Sequence, residues 1–265
     1  MDKKTPLTVV ILTKNEEERI KDCIESVKDW VEEIIVVDDE STDRTAEIAQ
    51  NLGAKVLKRK MDIEGKQRNW AYQKARNLWV LSLDADERIT KELRDEIIRL
   101  FAEGPRSNGY TIPRRNYIGN YWLRYGGEYP APQLKLFRKD KFRFEEVGVH
   151  PRAFLEGKCG FLKNDLIHYS YRNFSDYLNK LNNQTTREAE KWILTGRRMT
   201  FWQALWRALD RFFYRRMLRK KAYRDGIYGF MTALFSGLYQ LLSYAKYREL
   251  LSKHLEVSPP KILEK

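Results

Sequence analysis

At 265 residues the chain can fill one good hydrophobic core, or one domain with an appendage. A hydrophobic content of 42%, with 13% aromatics, excludes a disordered chain, and two cysteines in unrelated contexts, Cys23 and Cys159, exclude a disulfide scaffold or a thiolate metal knot. The formal charge of +13 calls for an anionic partner: nucleic acid, a phosphorylated substrate or a membrane surface.

The charge is concentrated. Between Arg197 and Arg224 ten Lys/Arg stand against one acid, Asp210, so this segment alone carries +9 of the +13. The thiols fit a reducing, cytosolic setting. The first apolar run begins about seven residues in, which leaves no room for a signal peptide.

In chain order, Leu7–Leu12 is a continuous β-branched run, the pattern of a parallel strand buried on both faces. It ends in Thr13-Lys14-Asn15 followed by three glutamates, which predicts a helix start with acids at the positive end of the dipole. Ile20, Cys23, Ile24 and Val27 then recur at helical spacing. A second strand, Glu33–Val37, runs into Asp38 and Asp39, and Ser41 or Thr42 is expected to cap a helix that stops at Gly53. A short strand at 54–57, a helix over about 64–77 and a strand Trp79–Leu83 follow. This alternation predicts an α/β fold with a mostly parallel, doubly wound sheet.

The last of these strands ends in Leu83-Asp84-Ala85-Asp86-Glu87. Two carboxylates at a strand end, outside the carboxyl edge of such a sheet, suit a divalent cation on a diphosphate. A plain turn before the next helix is the competing reading. Three strands ending in polar groups, at Thr13/Asn15, Asp38/Asp39 and Asp84/Asp86, would gather along one edge and favour a site. The first turn lacks the glycines that let a backbone approach a pyrophosphate, which argues against NAD or FAD.

Four pieces together carry a resemblance: the strand–Thr-Lys-Asn-Glu turn, Val36-Val37-Asp38-Asp39-Glu40-Ser41-Thr42-Asp43, Gly65-Lys66-Gln67-Arg68-Asn69 and Leu83–Glu87. Residues 7–90 resemble the nucleotide-sugar-binding half of a family 2 glycosyltransferase of GT-A fold. The resemblance implies that Asp38 or Asp39 bonds the base or ribose of the donor, with Thr13 and Asn15 flanking the base. Gln67 and Arg68 would face the nucleotide or its phosphates, and Asp84 and Asp86 would hold Mg²⁺ or Mn²⁺.

Beyond a helix at about 90–102, strands are predicted at 109–115 and 133–138, around a segment from Tyr117 to Pro132 rich in Tyr, Trp and Gly. Phe144–Pro151 and Leu166–Arg172 sharpen the resemblance toward bacterial lipopolysaccharide-core glycosyltransferases, which are expected to read Tyr-Pro-Asp-x-Gln-Leu-Arg-Leu-Phe and Val-His-Glu. Here Ala131 and Pro151 replace the two acids. The catalytic base, which must reach the attacking hydroxyl, then falls to Glu146 or Glu145, with Glu128 and His150 also considered. His150 and His168 are read as either metal or phosphate contacts or structural histidines.

Ser175 opens a long helical region stopped by Gly196. From Thr200, Phe201, Trp202, Trp206, Phe212, Phe213 and Tyr214 alternate with arginines, the pattern of a basic amphipathic helix at a membrane surface. Residues 226–245 carry no charge and read as a helix in the interface, with a true span the lesser alternative.

The organisation expected is a catalytic domain over 1–174, with 1–90 for the donor and 91–174 for the acceptor side, followed by a membrane-associating helical region over 175–265. The expected activity is inverting transfer from a nucleotide sugar to a lipid-linked glycan, such as the lipopolysaccharide inner core, at the cytoplasmic face of the cell membrane. The alternatives are a polyisoprenyl-phosphate acceptor, or a basic nucleic-acid-binding protein without catalysis. Nucleic acid is not the expected partner.

Overall fold

The computed structural model describes residues 4–146 and 152–257, with side chains to residue 252. The chain divides into two compact units: residues 1–117 with 129–170, and residues 118–128 with 171–265.

The first unit is built on a seven-stranded sheet. Strands β1 (Thr5–Thr13), β2 (Val31–Asp38), β3 (Lys55–Lys58) and β4 (Trp79–Asp84) are parallel, in the order β3-β2-β1-β4. Helices α1 (Ile20–Glu25), α2 (Thr45–Asn51) and α3 (Glu64–Gln73) make the crossovers. β9 (Gln133–Arg138) then adds antiparallel to β4 and leads to β6 (Gly109–Ile112) and β12 (Cys159–Phe161). This is the mixed, mostly parallel sheet of a GT-A-like fold.

The all-apolar strands follow from burial on both faces. Leu7, Val9 and Ile11 of β1 pack into one core with Val36, Leu81 and Leu83, while Val10 packs into the other with Ile35, Val37 and Val80. Helix α4 (Lys91–Glu103), capped by Thr90, lays Leu93 and Ile97 on the first core. A smaller sheet includes β5 (Glu87–Ile89) and β13 (Leu166–Tyr171), paired antiparallel. Pro113 splits the strand expected over 109–115 into β6 and β7 (Arg114–Ile118). Short strands β10 (Phe142–Phe144) and β11 (Ala153–Leu155) pair antiparallel.

Two helix starts differ from expectation. Asn15 takes a left-handed φ of 53° and begins no helix; α1 starts at Ile20. Neither Ser41 nor Thr42 caps α2. Ser41 Oγ accepts from Asn15 N–H, Thr42 N–H donates to Asn15 Oδ1, and Asp43 Oδ1 accepts from Thr45 N–H at the head of the helix. Both segments spend their capping side chains on cross-linking the loops after β1 and β2.

The second unit is helical. Helix α5 (Phe174–Leu194) is capped by Asn173, and α6 (Phe201–Leu209) by a Thr200/Gln203 capping box. α6 passes into a π-helical segment, Asp210–Arg219, then a short turn, Ala222–Asp225, and helix α7 (Gly226–Val257). Its core comprises Ala189, Trp192, Met199, Ala204 and Tyr247. Buried Asp225 ties in residues 118–128, accepting from the backbone N–H of Arg124 and Tyr125 at 3.0 and 2.7 Å.

No helix among the described residues is long and apolar enough to cross a membrane. The uncharged stretch of α7 is partly buried inside this unit, where Thr232, Ala233, Phe235, Gln240 and Ser243 are shielded from solvent, while Ile227, Phe230 and Leu242 are exposed. Further exposed apolar surface lies on α6 and the π segment, at Trp202, Trp206, Leu209, Phe213 and Leu218.

Candidate active site at the strand ends

The carboxyl ends of β1, β2 and β4 open into one cleft of about 260 Å³ in the first unit, lined by Thr13, Asp39, Gln67, Arg68, Asp84 and Asp86 among others. Register explains the gathering. Leu12 pairs with both Val37 and Asp84, and Thr13 pairs with Asp38, so the three polar termini finish side by side. Leu12, Val37 and Met61 add an apolar wall suited to a flat ring.

Three buried polar atoms at this end have no partner in the protein: Thr13 Oγ1, Asp38 Oδ1 and Gln67 Oε1. An unsatisfied buried polar atom costs about 1–3 kcal/mol, so Thr13 and Gln67 in the cleft wall, with Asp38 buried beneath it, mark a place for a polar ligand. Asp39 Oδ1 accepts from Met61 N–H and Oδ2 from Lys14 Nζ. Burial works to raise its carboxyl, and these two donors reverse that, leaving it below the usual carboxylate range. Each oxygen keeps a further lone pair for a ligand.

At the end of β4 the charges interlock. Arg68 Nη2 donates to Asp84 Oδ1 and Lys135 Nζ to Asp84 Oδ2, both at 3.0 Å. Lys135, buried, also donates to fully buried Glu87 at 2.7 Å. Glu87 in turn accepts from Asp84 N–H, closing the turn. Burial tends to raise the Asp84 carboxyl, but Lys135 and Arg68 overcome it and hold the group far below its ordinary range. Burial likewise pulls Lys135 down, and Asp84 and Glu87 more than compensate. A second cleft, about 510 Å³, shares Arg68 and Asp84 and adds Arg114, Lys135 and His168.

Both Asp84 oxygens serve buried Arg68 and Lys135, and Asp86 Oδ2 lies 3.6 Å from His168 Nε2 and 3.7 Å from Arg19 Nη1, so both carboxylates have cationic groups beside them. The carboxylates of Asp84 and Asp86 at one strand end suit Mg²⁺ or Mn²⁺, hard cations that take few protein ligands beside substrate phosphates. Among the described residues no set of three His, Cys, Asp or Glu forms a complete cage. The residues present therefore fit a metal that arrives with a diphosphate.

The family profile for glycosyl transferase family 2 matches residues 8–159, more than half the chain. The chain belongs to this family. Its relatives include an uncharacterized glycosyltransferase of Rickettsia typhi, 31% identical over 95% of this chain and 89% of that protein. Another is the lipopolysaccharide core biosynthesis glycosyltransferase LpsC of Rhizobium meliloti, 28% identical over 92% of each. Among solved structures, S. aureus TarS residues 1–349 with UDP aligns over 96% of this chain and 93% of its own, at a TM-score of 0.46 and 16% identity.

For this glycosyltransferase, the expected donor residues divide. Thr13, Asp39, Gln67, Arg68, Asp84 and Asp86 line the cleft. Asp38 lies beneath it, fully buried, accepting from Ser41 N–H. Asn15 does not line the cleft and staples the two loops instead. Glu145 pairs with Arg152 at 3.5 Å, and Glu146 accepts from Asn69 Nδ2 at 3.2 Å in a neighbouring cavity, so neither lines the two clefts around Asp84. Glu128 is held by Arg216 in the helical unit. His150 and Pro151 lie outside the described residues.

Sequence reasoning missed Lys135, Glu87 and Arg114. A signal for the first was present: one lysine inside the apolar run Leu134–Phe137 must find a carboxylate once buried.

Proposed function

We propose that the protein transfers a sugar, with inversion, from a nucleoside diphosphate sugar bound in the strand-end cleft to a hydroxyl of a lipid-linked glycan. The observation that carries this is the set of buried orphan atoms, Thr13 Oγ1, Asp38 Oδ1 and Gln67 Oε1, beside the cationic pair Arg68 and Lys135. The orphans match a nucleoside and the cations match its phosphates.

Asp39 bonds the base or ribose, and Arg68 attracts the diphosphate while Asp84 fixes its guanidinium. Asp86, with Asp84, would hold Mg²⁺ or Mn²⁺, which would supply Lewis-acid stabilisation of the departing diphosphate. Glu146, which faces the neighbouring cavity and accepts from Asn69, is the acid assigned to take the proton of the attacking hydroxyl, and it would have to turn from Asn69 toward the second cleft to do so. The acceptor side falls within residues 91–174. The name of the LpsC relative supports a lipopolysaccharide-core acceptor.

The exposed Trp202, Trp206 and Phe213, set among arginines in the +9 segment, support peripheral docking on an anionic membrane at its cytoplasmic face. The acceptor would be reached there.

The deciding experiment is calorimetric titration with UDP, ADP and GDP, each with and without Mn²⁺. Binding of one nucleotide, tightened by Mn²⁺ and weakened by Gln67→Ala, is the expected result. No binding of any nucleotide would remove the donor site, and strong salt-dependent binding to DNA duplex would favour a nucleic-acid protein instead.

A further inference from the structure

The helical unit contains a cavity of its own, about 220 Å³, lined by Glu128, Tyr171, Tyr177, Arg211, Arg216 and Tyr239 among others. Its walls come from the 118–128 segment, Tyr171, α5, the π-helical segment and α7, all within this one unit.

The π geometry makes the lining possible. In an α-helix, at 3.6 residues per turn, residues i and i+5 point about 140° apart. A π turn hydrogen-bonds i to i+5 and stacks them. Lys220 N–H donates to Arg215 C=O, five residues back, and the side chains of Asp210 and Arg215 form an i,i+5 ion pair at 2.6 Å. The same register brings Arg211 and Arg216 to one cavity. A regular α-helix would turn one of them away.

The two guanidiniums are in different states. Arg216 donates through Nη1 to Gly126 C=O and to the Glu128 carboxylate. Arg211, by contrast, makes no ion pair with a carboxylate among the described residues. It lies 5.8 Å from the Tyr239 ring, at the cavity but still more than a third exposed. Burial pushes it below its ordinary value, with Tyr239 opposing, Arg215 and Arg216 adding repulsion and Glu188 offsetting part of it. A guanidinium at a cavity wall, without an ion pair of its own, keeps donors for an anion.

The remaining wall suits a sugar. Tyr171 and Tyr177 stack with ring centroids 3.9 Å apart, offering an edge of aromatic carbon and hydroxyls. Burial, with Glu128 adding, pushes the Tyr171 hydroxyl up to about 12; burial, with Glu188 adding, does the same to Tyr239. Both stay protonated, Tyr171 able to donate to a ligand and Tyr239 with Glu188 as its hydrogen-bond partner.

We propose that this cavity binds an anionic sugar, a ring carrying a carboxylate or a phosphate, with Arg211 meeting the charge and the tyrosines and Glu128 meeting the hydroxyls. That this sugar is part of the acceptor glycan rests on the transferase reading above; the binding itself does not.

The test is ligand-observed NMR titration of the whole protein, without nucleotide, using galacturonate, glucose 6-phosphate and glucose. Galacturonate or glucose 6-phosphate should bind about tenfold or more tighter than glucose, and whichever wins names the anion. Arg211→Gln should reduce that binding at least about fivefold while leaving UDP binding unchanged. Ser236→Tyr, which fills the cavity from α7 without removing a charge, should abolish it. Equal binding of glucose, no binding of either anion, or unaltered binding in both folded variants would overturn the proposal. A failure of UDP to bind would count against the transferase reading and leave this result standing.

Discussion

The two units place charged groups at a cleft by opposite means. In the sheet unit, Asp84 and Asp86 reach the cleft because a strand ends there, and the parallel register sets Asp84 level with Leu12 of β1. In the helical unit, Glu128, Tyr171, Tyr177, Arg211 and Tyr239 come from five separate stretches, and a local change of helical pitch aligns the arginines. A strand end is readable because its site residues are adjacent in sequence. A cavity between helices has no such local signature.

The largest expected effect falls on the sheet side. Asp84→Asn should lower transfer activity by at least about 10²-fold, because Arg68 and Lys135 lose the carboxylate that orients them. The fold should survive, since Lys135 keeps Glu87. The pH dependence has a definite sign. The Asp84 carboxyl is held below its unfolded value, so its contribution to stability is complete above about pH 4 and is lost as pH falls toward the folded value. Acid unfolding followed by circular dichroism should therefore have a shallower slope below pH 4 in the variant. Full activity in Asp84→Asn would dissolve the contrast between the units.

Next in size are the two acids at 145 and 146. Glu146→Gln should reduce turnover about 10²–10⁴-fold with donor binding unchanged, the span for loss of a general base. Glu145→Gln, which gives up only an exposed pair with Arg152, should change it little. Reversed results would move the base by one residue, to the acid that now pairs with Arg152.

Much of the sheet unit was legible. Apolar runs such as Leu7–Leu12 mark strands covered on both faces, and the polar residues closing three of them mark the cleft. Asn15 was legible only as a polar residue: its left-handed backbone, and the loop staple to Ser41 and Thr42, depend on a neighbour about 27 positions away. Lys135 was visible as an anomaly without a partner. In the helical unit the basic-aromatic alternation was readable, but the π register was not, because nothing in Asp210–Arg219 distinguishes it from an α-helix until it packs. The uncharged run in α7 is ambiguous in sequence because burial among helices and burial in lipid select the same residues, and in the fold it is partly buried and partly exposed.

The exposed face separates those two kinds of burial. Trp202 and Trp206 are each more than 70% exposed, one turn apart on α6, and contribute little to the core. Replacing both by Ala should leave the melting temperature nearly unchanged yet release the protein from anionic vesicles in a flotation assay. Burying one such side chain is worth about 1.5–3 kcal/mol. A large fall in stability would mean that the face is structural.

The smallest effect should come from Asp210, and it bears on what sets the π register. The Asp210–Arg215 pair is the visible mark of that register, but Arg215 is 64% exposed, so the pair is worth about 0.2–1 kcal/mol. The Arg216–Glu128 pair lies deeper, with both side chains under 30% exposed. If the deeper pair sets the pitch, Asp210→Asn should shift the melting temperature by no more than a few degrees and leave anionic-sugar binding intact. A variant that loses sugar binding while staying folded would show the opposite: that the surface pair fixes the pitch, and that Arg211 and Arg216 share a cavity only because Asp210 holds them in register.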